Sequence, residues 1–221
     1  MPQKDAAGFV LAGGQSSRMG TDKALVEFRG RPLIAQALGT LRQAGLSAAI
    51  AGAQPTAKPI LGAFAPLVPD REPDQGPLGG ICAAMASNAA RWAVFVPVDL
   101  PLLPASLVKY LLNHARGTGS AITLASVAGF VQTFPAVVDQ AALTGLQAEL
   151  AAGRAGCFSA FKAAAAALEQ AIDVISAESL GQSGQVSHPK GLPAANWFLN
   201  INSADDLRQA ESDWQNGPRE L

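Results

Sequence analysis

Cysteine and histidine are scarce in this chain. Its 221 residues include two cysteines, Cys82 and Cys157, and two histidines, His114 and His188. So few thiols exclude a disulfide-stapled scaffold. Cys82 falls within an apolar helical pattern, and both cysteines read as small core residues rather than a bridge or a metal pair. Two histidines leave no basis for a His-rich zinc centre. Long apolar runs are missing too: none approaches the roughly 20 residues of a membrane span. No signal-peptide pattern is present, because Gln3, Lys4 and Asp5 precede a short strand rather than an extended apolar region. A reducing, cytoplasmic location is the expectation. Charge of either sign is sparse. Sixteen basic residues stand against 17 acidic ones, for a net charge of −1. That balance excludes the broad basic surface of extended nucleic-acid binding but leaves room for a local basic pocket.

What the chain does have is apolar material, 49% of its residues. This suffices for one domain with a real core, expected over residues 1–215 with a frayed tail at 216–221. The N-terminal two-thirds alternates strand and helix. Strands are expected at residues 7–12, 47–51 and 92–98, with 66–69 a further candidate. The 92–98 run is almost wholly apolar, as a central parallel strand covered on both faces would be. Helices are expected at 31–44, 77–90 and 104–115. In the first, Pro32 suits the opening turn, Leu33, Ile34, Ala37, Leu38 and Leu41 share a face, and Gly45 stops it. The remainder reads as strands at 120–125, 133–138 and 197–201, with 171–175 a candidate. Helices are expected there at 140–152, 158–168 and 203–212. Residues 176–195, rich in Gly, Ser, Gln and Pro, read as a long surface loop. The βαβα rhythm implies a mostly parallel sheet with helices on both faces. No internal repeat is present.

Chemistry concentrates in four segments. The first runs from Gly8-Phe9-Val10-Leu11-Ala12-Gly13-Gly14 through Gln15-Ser16-Ser17-Arg18-Met19-Gly20-Thr21-Asp22-Lys23-Ala24. An apolar strand opens into a loop where glycines without Cβ let backbone N–H groups approach an anion. Arg18 and Lys23 add fixed positive charge. The spacing is neither the G-x-G-x-x-G of a dinucleotide site nor the Gly-Lys-Ser/Thr of a P-loop. A Gly-rich surface loop is the competing reading. The second is Pro97-Val98-Asp99-Leu100-Pro101, directly after the apolar strand. A carboxylate at the C-terminal end of a central parallel strand lies where ligands bind in open α/β sheets, and its oxygens suit Mg²⁺. Alternatively Asp99 caps the next turn.

The third pairs Val68-Pro69-Asp70 with Gly76-Pro77-Leu78-Gly79-Gly80, where small residues line the first turn of a helix able to receive an anion or a base. Asp70 reads equally as an exposed turn residue or a ligand contact. The fourth is Phe198-Leu199-Asn200-Ile201-Asn202-Ser203-Ala204-Asp205-Asp206-Leu207. Asn200 and Asn202 at period two share one face of the expected strand. Asn202 or Ser203 caps the following helix, with the Asp pair at its positive end.

These four segments, in this order, resemble the nucleotidyltransferases that make molybdenum cofactor dinucleotides, and most nearly the molybdenum cofactor guanylyltransferases. The resemblance implies a Rossmann-like three-layer α/β/α fold with a mostly parallel central sheet. It implies transfer of GMP from GTP to the terminal phosphate of molybdopterin, with release of pyrophosphate. By the same analogy Leu11, Ala12, Gly13, Gly14 and Lys23 bind the nucleotide. Arg18 and Lys23 offset triphosphate charge, and Asp99 holds Mg²⁺. Asp70 contacts guanine or ribose, Gly79 and Gly80 allow close approach, and Asn200 and Asn202 approach the second substrate and the metal. Partner proteins of cofactor insertion are implied from the family alone; no nucleic acid or membrane partner is expected.

Two departures stand out. Ser203-Ala204-Asp205-Asp206 replaces the usual Thr-Pro-Glu-Asp/Glu, and Thr133-Phe134-Pro135 lacks the family's His before Pro. Gln132 is either a polar acceptor-side contact or a solvent-facing strand residue. Rival readings keep the fold with another specificity, a molybdopterin cytidylyltransferase or an enzyme activating a sugar phosphate. Cytidylyl relatives usually carry Ala-Ala-Gly where this chain has Ala12-Gly13-Gly14. A third reading is a nucleotide-binding module without turnover.

Overall fold

The computed structural model describes residues 5–12, 22–53, 56–69 and 75–217. Its elements run β1 (Ala6–Leu11), β2 (Glu27–Phe28), β3 (Arg31–Pro32), α1 (Leu33–Gln43), β4 (Ser47–Ala51), α2 (Lys58–Leu61), α3 (Gly76–Ala86), β5 (Trp92–Pro97), α4 (Ala105–Thr118), β6 (Ile122–Val127), β7 (Phe130–Asp139), α5 (Leu143–Ala151), α6 (Cys157–Ala166), β8 (Asp173–Ser176), α7 (Ala177–Gln182), α8 (Ala194–Trp197) and α9 (Ala204–Asn216). Six strands form the central sheet in the order β4-β1-β5-β7-β6-β8, and β2 and β3 make a small separate ribbon. Strands β4, β1 and β5 are mutually parallel, β7 runs against both β5 and β6, and β8 is parallel to β6. The sheet is therefore mostly parallel, as the βαβα rhythm requires.

The apolar strands explain the three layers. Side chains of β5 alternate between two cores: Trp92, Val94 and Val96 enter one, Ala93 and Phe95 the other. Val10 and Phe9 of β1 divide in the same way, and Phe9 stacks on Phe95 at 5.5 Å. The first core is closed by α1 and α4 together with Leu180, Trp197 and Ala210 of the C-terminal helices. The second is closed by α3, α5 and α6 through Leu78, Leu146 and Phe161. A strand buried on both faces has no polar side, so it appears in sequence as a continuous apolar run.

Cys82 is buried in the second core and Cys157 packs half-buried at its border. Burial pushes both thiols up to about 11, so they stay protonated and unreactive at neutral pH.

Several boundaries differ from expectation, each for a local reason. Pro32 is the N-cap of α1 rather than part of its first turn. Helix α4 continues to Thr118, where Gly119 at φ +70° supplies the left-handed cap that a Cβ would disfavour. The segment 66–69 is no full strand; Leu67 makes only an isolated parallel bridge to Ile50. Strand β7 is longer than 133–138, and its pairing with β6 skips from Gln132 to Ala136. Proline lacks the ladder donor, and Thr133-Phe134-Pro135 forms that irregularity. Phe134 turns onto Phe161, ring centroids 6.3 Å apart, and Gln132 donates to the Phe130 carbonyl.

Two C-terminal expectations are overturned. Residues 176–195 are not one long loop, because Ser176 caps α7 by accepting from the Ser179 N–H. Residues 197–201 are not a strand: Trp197 ends α8, and the chain beyond it pairs with no ladder. Asn216, expected to fray, is the last residue of α9, and residues 218–221 lie outside those described. Among the described residues no helix is long and apolar enough to cross a membrane.

His188 sits in this C-terminal region, 6% exposed and edge-on to Trp214 at 5.5 Å. Its Nδ1 accepts from the Lys190 N–H at 3.0 Å. Burial lowers its pKa from the ordinary 6.5 to about 4, although a hydrogen bond with the Leu102 backbone pulls the other way. Only the unfolded chain binds a proton at His188 between these values, so stability falls as pH drops from 6.5 toward 4. The loss at pH 5 relative to pH 7.5 is expected to be about 2 kcal/mol from this residue. Denaturant titrations of wild type and His188→Gln at both pH values check this; an equal pH difference in the two proteins excludes His188 as its source.

Candidate active site

The C-terminal edge of the parallel strands is the only place where several of the sequence-marked residues meet among those described. Register sets Leu11 of β1 beside Ala51 of β4 and Pro97 of β5. The Ala12 N–H donates to the Ala51 carbonyl at 3.0 Å, and the Val98 N–H to the Leu11 carbonyl at 3.2 Å. These bonds tie the end of β1 to β4 on one side and to β5 on the other as the strands end. Helix α1, which follows β1, packs in the first core, and α3, which leads into β5, packs in the second. In an open α/β sheet of this kind ligands bind outside the carboxyl ends of the strands.

Lys23, Asp99 and Asn202 converge at this edge. The Lys23 Nζ donates to Asp99 Oδ2 at 2.6 Å and to Asn202 Oδ1 at 2.7 Å. Each side chain is placed by its own local structure. Asp22 accepts from the Ala24 N–H and caps a single 3-10 turn, Lys23–Leu25, which projects Lys23. Asp99 lies two residues past β5. The Asp99 carbonyl accepts from the Ile201 N–H at 3.0 Å, while the Ile201 side chain is fully buried, so residues 200–202 are pinned alongside. Ser203 then caps α9 by accepting from the Asp206 N–H, and Asp206 Oδ2 in turn accepts from the Asn202 N–H at 2.8 Å. This settles the cap on Ser203. The hydrogen bond from the Asn202 N–H, foremost, and one from the Ser203 side chain hold the Asp206 carboxyl below the usual carboxylate range.

An ammonium has three donors. Asp99 and Asn202 take two, leaving one without a partner among the described residues. Both Lys23 and Asp99 keep side chains 20% exposed, so the pair is reachable from solvent. The second carboxylate oxygen, Asp99 Oδ1, is buried and has no hydrogen-bond partner among the described residues. A buried ionised oxygen left bare is costly, and such an atom suits a hard cation or a donor brought by a ligand. Among the described residues no three His, Cys, Asp or Glu groups stand together as a self-sufficient metal cage.

The other sequence-marked residues divide. Gly80 is buried in α3; a Cβ there would come within 3.1 Å of the Gly52 backbone. Close packing of α3 on the end of β4 therefore accounts for its glycine identity. Gly79 is half-buried one residue earlier, where a Cβ would meet Gln75 Cβ at 2.6 Å. Asn200 is exposed and turns back toward the Phe198 carbonyl at 3.5 Å, outside the Lys23 cluster. Asn200 and Asn202 thus do not share a strand face. Gly13, Gly14, Arg18 and Asp70 lie outside the described residues. Asp206 is the residue of the cluster that sequence reasoning takes only for helix-end charge. The Ser-x-x-Asp spacing from Ser203 is the available signal, since that spacing couples a cap to the residues before it.

Sheet order, flanking layers and a site at the C-terminal strand edge define a Rossmann-like three-layer α/β fold. The solved structure of molybdopterin-guanine dinucleotide biosynthesis protein A from Archaeoglobus fulgidus superposes with a TM-score of 0.75. The match covers 93% of this chain and 97% of that one at 20% identity. The family model described as MobA-like NTP transferase domain matches residues 8–179, and the chain belongs to that family. A molybdenum cofactor guanylyltransferase from Cereibacter sphaeroides is 35% identical over 211 residues, 93% of this chain and 95% of that protein. One from Xanthomonas euvesicatoria is 46% identical over 116 residues, 52% of this chain and 57% of that protein.

Proposed function

We infer that this protein transfers GMP from GTP to the terminal phosphate of molybdopterin, releasing pyrophosphate. The observation that supports the chemistry is the Lys23–Asp99–Asn202 cluster at the strand edge, with one ammonium donor and one carboxylate oxygen unpartnered among the described residues. Curated relatives named as molybdenum cofactor guanylyltransferases support the choice of substrates.

The reaction needs no protein nucleophile. A phosphate oxygen of the acceptor attacks the α-phosphorus of GTP, a new P–O bond forms, and the bond to the pyrophosphate breaks. Two anions must be aligned and the growing charge neutralised. In this reading the third Lys23 N–H meets a phosphate oxygen, and Asn202 fixes the direction of the ammonium. Arg18 and the Gly13–Gly14 backbone serve the triphosphate, Asp70 the guanine or ribose, and Leu11 and Ala12 anchor the loop. Gly79 lets the nucleotide approach beside α3, which Gly80 seats on the end of β4, and Asn200 stays near the acceptor. Asp99 Oδ1 fits Mg²⁺, a hard cation satisfied by one carboxylate plus substrate phosphates. When bound, Mg²⁺ supplies Lewis-acid polarisation of the phosphate oxygens. The cytoplasm is the proposed site of action.

Calorimetry of GTP, CTP, ATP and UTP with Mg²⁺, followed by pyrophosphate release with molybdopterin, tests the reading. GTP preference with magnesium-dependent release is expected. Preference for CTP transfers the assignment to cytidylyl chemistry, and binding without release leaves a nucleotide-binding module.

A further inference from the structure

A cavity of about 440 Å³ lies behind the ribbon that comes after Lys23, with Arg29, Arg31, Gln36, Gln43, His188 and Trp214 in its wall. That volume is within the roughly 300–1,000 Å³ of small-molecule sites. Its lining contains none of Lys23, Asp99 and Asn202, and no carboxylate at all. Phe28 and Arg31 are paired across the β2–β3 turn, so their side chains share a face. Phe28 on that face is buried edge-on to Trp214, ring centroids 6.2 Å apart, which directs Arg31 to the cavity side. Arg29 lies at φ +53° in the turn, with its guanidinium 4.5 Å from the Trp214 ring centroid. Lys190 Nζ stands 6.0 Å from the same ring. Neither Arg29 nor Arg31 forms an ion pair among the described residues.

Two guanidiniums without an ion pair among the described residues, beside a polar cavity in a chain of net charge −1, concentrate positive potential at one spot. Guanidinium forks match phosphate oxygens two at a time. The Gln43 side chain adds amide donors at the rim. We propose that this cavity is a second anion site, distinct from the Lys23 cluster, that takes a phosphate-bearing small molecule. The shared chemistry is a phosphate or diphosphate group, borne by free pyrophosphate or by the tail of a nucleotide. The proposal stands apart from the guanylyl-transfer reading, since it uses none of the residues assigned there.

The protein carries its own reporter. Of its three tryptophans, Trp92 and Trp197 are 2% and 1% exposed in the core, and only Trp214 lines the cavity. The full chain is titrated with inorganic pyrophosphate, and separately with GTP, at constant ionic strength while tryptophan emission is read. A saturable change is expected with pyrophosphate, absent in Trp214→Phe and retained in Lys23→Ala. Arg29→Gln/Arg31→Gln is expected to weaken it at least about tenfold, the size of one lost charge-assisted hydrogen bond. Arg31→Gln alone, a change at an exposed side chain with no ion pair among the described residues, gives the same direction should the double variant unfold. A matching change with GTP assigns the site to nucleotide tails, and a response to pyrophosphate alone assigns it to the free anion. Titrations identical in wild type and the arginine variants overturn the proposal. So does a signal lost in Lys23→Ala, which would put the anion in the catalytic cluster.

Discussion

Lys23→Ala is expected to lower kcat by about 10²–10³-fold, the cost of deleting one preorganised group that meets developing charge. The lysine is held at 2.6 Å from Asp99 and 2.7 Å from Asn202, so its ammonium is aimed before substrate arrives. Preorganisation is what makes such a group effective, because no reorientation is needed as charge moves. Alanine removes that donor and also leaves Asp99 without its cation. Asp99→Asn is expected to fall in the same range, because it removes the charge that pairs with Lys23 and the oxygen suited to Mg²⁺. The two losses will not add, since the residues act as one unit. Single-turnover pyrophosphate release, with GTP affinity measured in parallel, separates the chemical step from binding. A Lys23→Ala enzyme with near-normal kcat would remove the lysine from the reaction.

Trp197→Ala is expected to cost about 3–5 kcal/mol, the range for deleting a large buried aromatic. The total stability of a domain is only about 5–15 kcal/mol. Trp197 is 1% exposed, and its Nε1 donates to the Leu192 carbonyl at 2.8 Å. Gly181 of α7 packs against the ring: a Cβ there would sit 3.5 Å from it. The indole therefore joins α7, α8 and the first core at once. Truncation opens a cavity under all three and strands a carbonyl. Denaturant midpoints at constant slope check the magnitude. A loss below about 1 kcal/mol would mean that the C-terminal segment unfolds independently of the sheet. Turnover is expected to suffer as well, since residues 200–202 reach Asp99 from this segment.

Trp197 also shows where sequence reading stops. The strands β1 and β5 were legible because both faces are buried, which makes the chain continuously apolar there. The position of Asp99 came from that strand, and Lys23 from the loop after β1. The stretch 197–201 misled because Phe198, Ile201 and Trp197 are all buried, and apolar density alone does not separate a strand from a helical turn running into an extended tail. What holds Ile201 is one hydrogen bond to Asp99, invisible at the level of local pattern. Helix α7 went unseen because six residues carry little periodicity and Gly181 reads as loop. The resemblance placed Asn202 near the second substrate and the metal, and its hydrogen bond with Lys23 carried no sequence signal. Arg29, Arg31 and Trp214 carried no motif, and only packing brings them around one cavity.

The hydrogen bond from Lys23 to Asn202 spans 179 residues of sequence, against 76 for the bond from Lys23 to Asp99. Contacts so distant along the chain close late, because the loop entropy is lost before they form. On the ribosome the consequence is temporal. Lys23 and Asp99 emerge while Asn202 and its Asp206 brace are still unmade, so the nascent chain carries a charged pair without its clamp. The active centre is then completed only once α9 has been made, and a polypeptide released short of α9 would hold the sheet with an unfinished site.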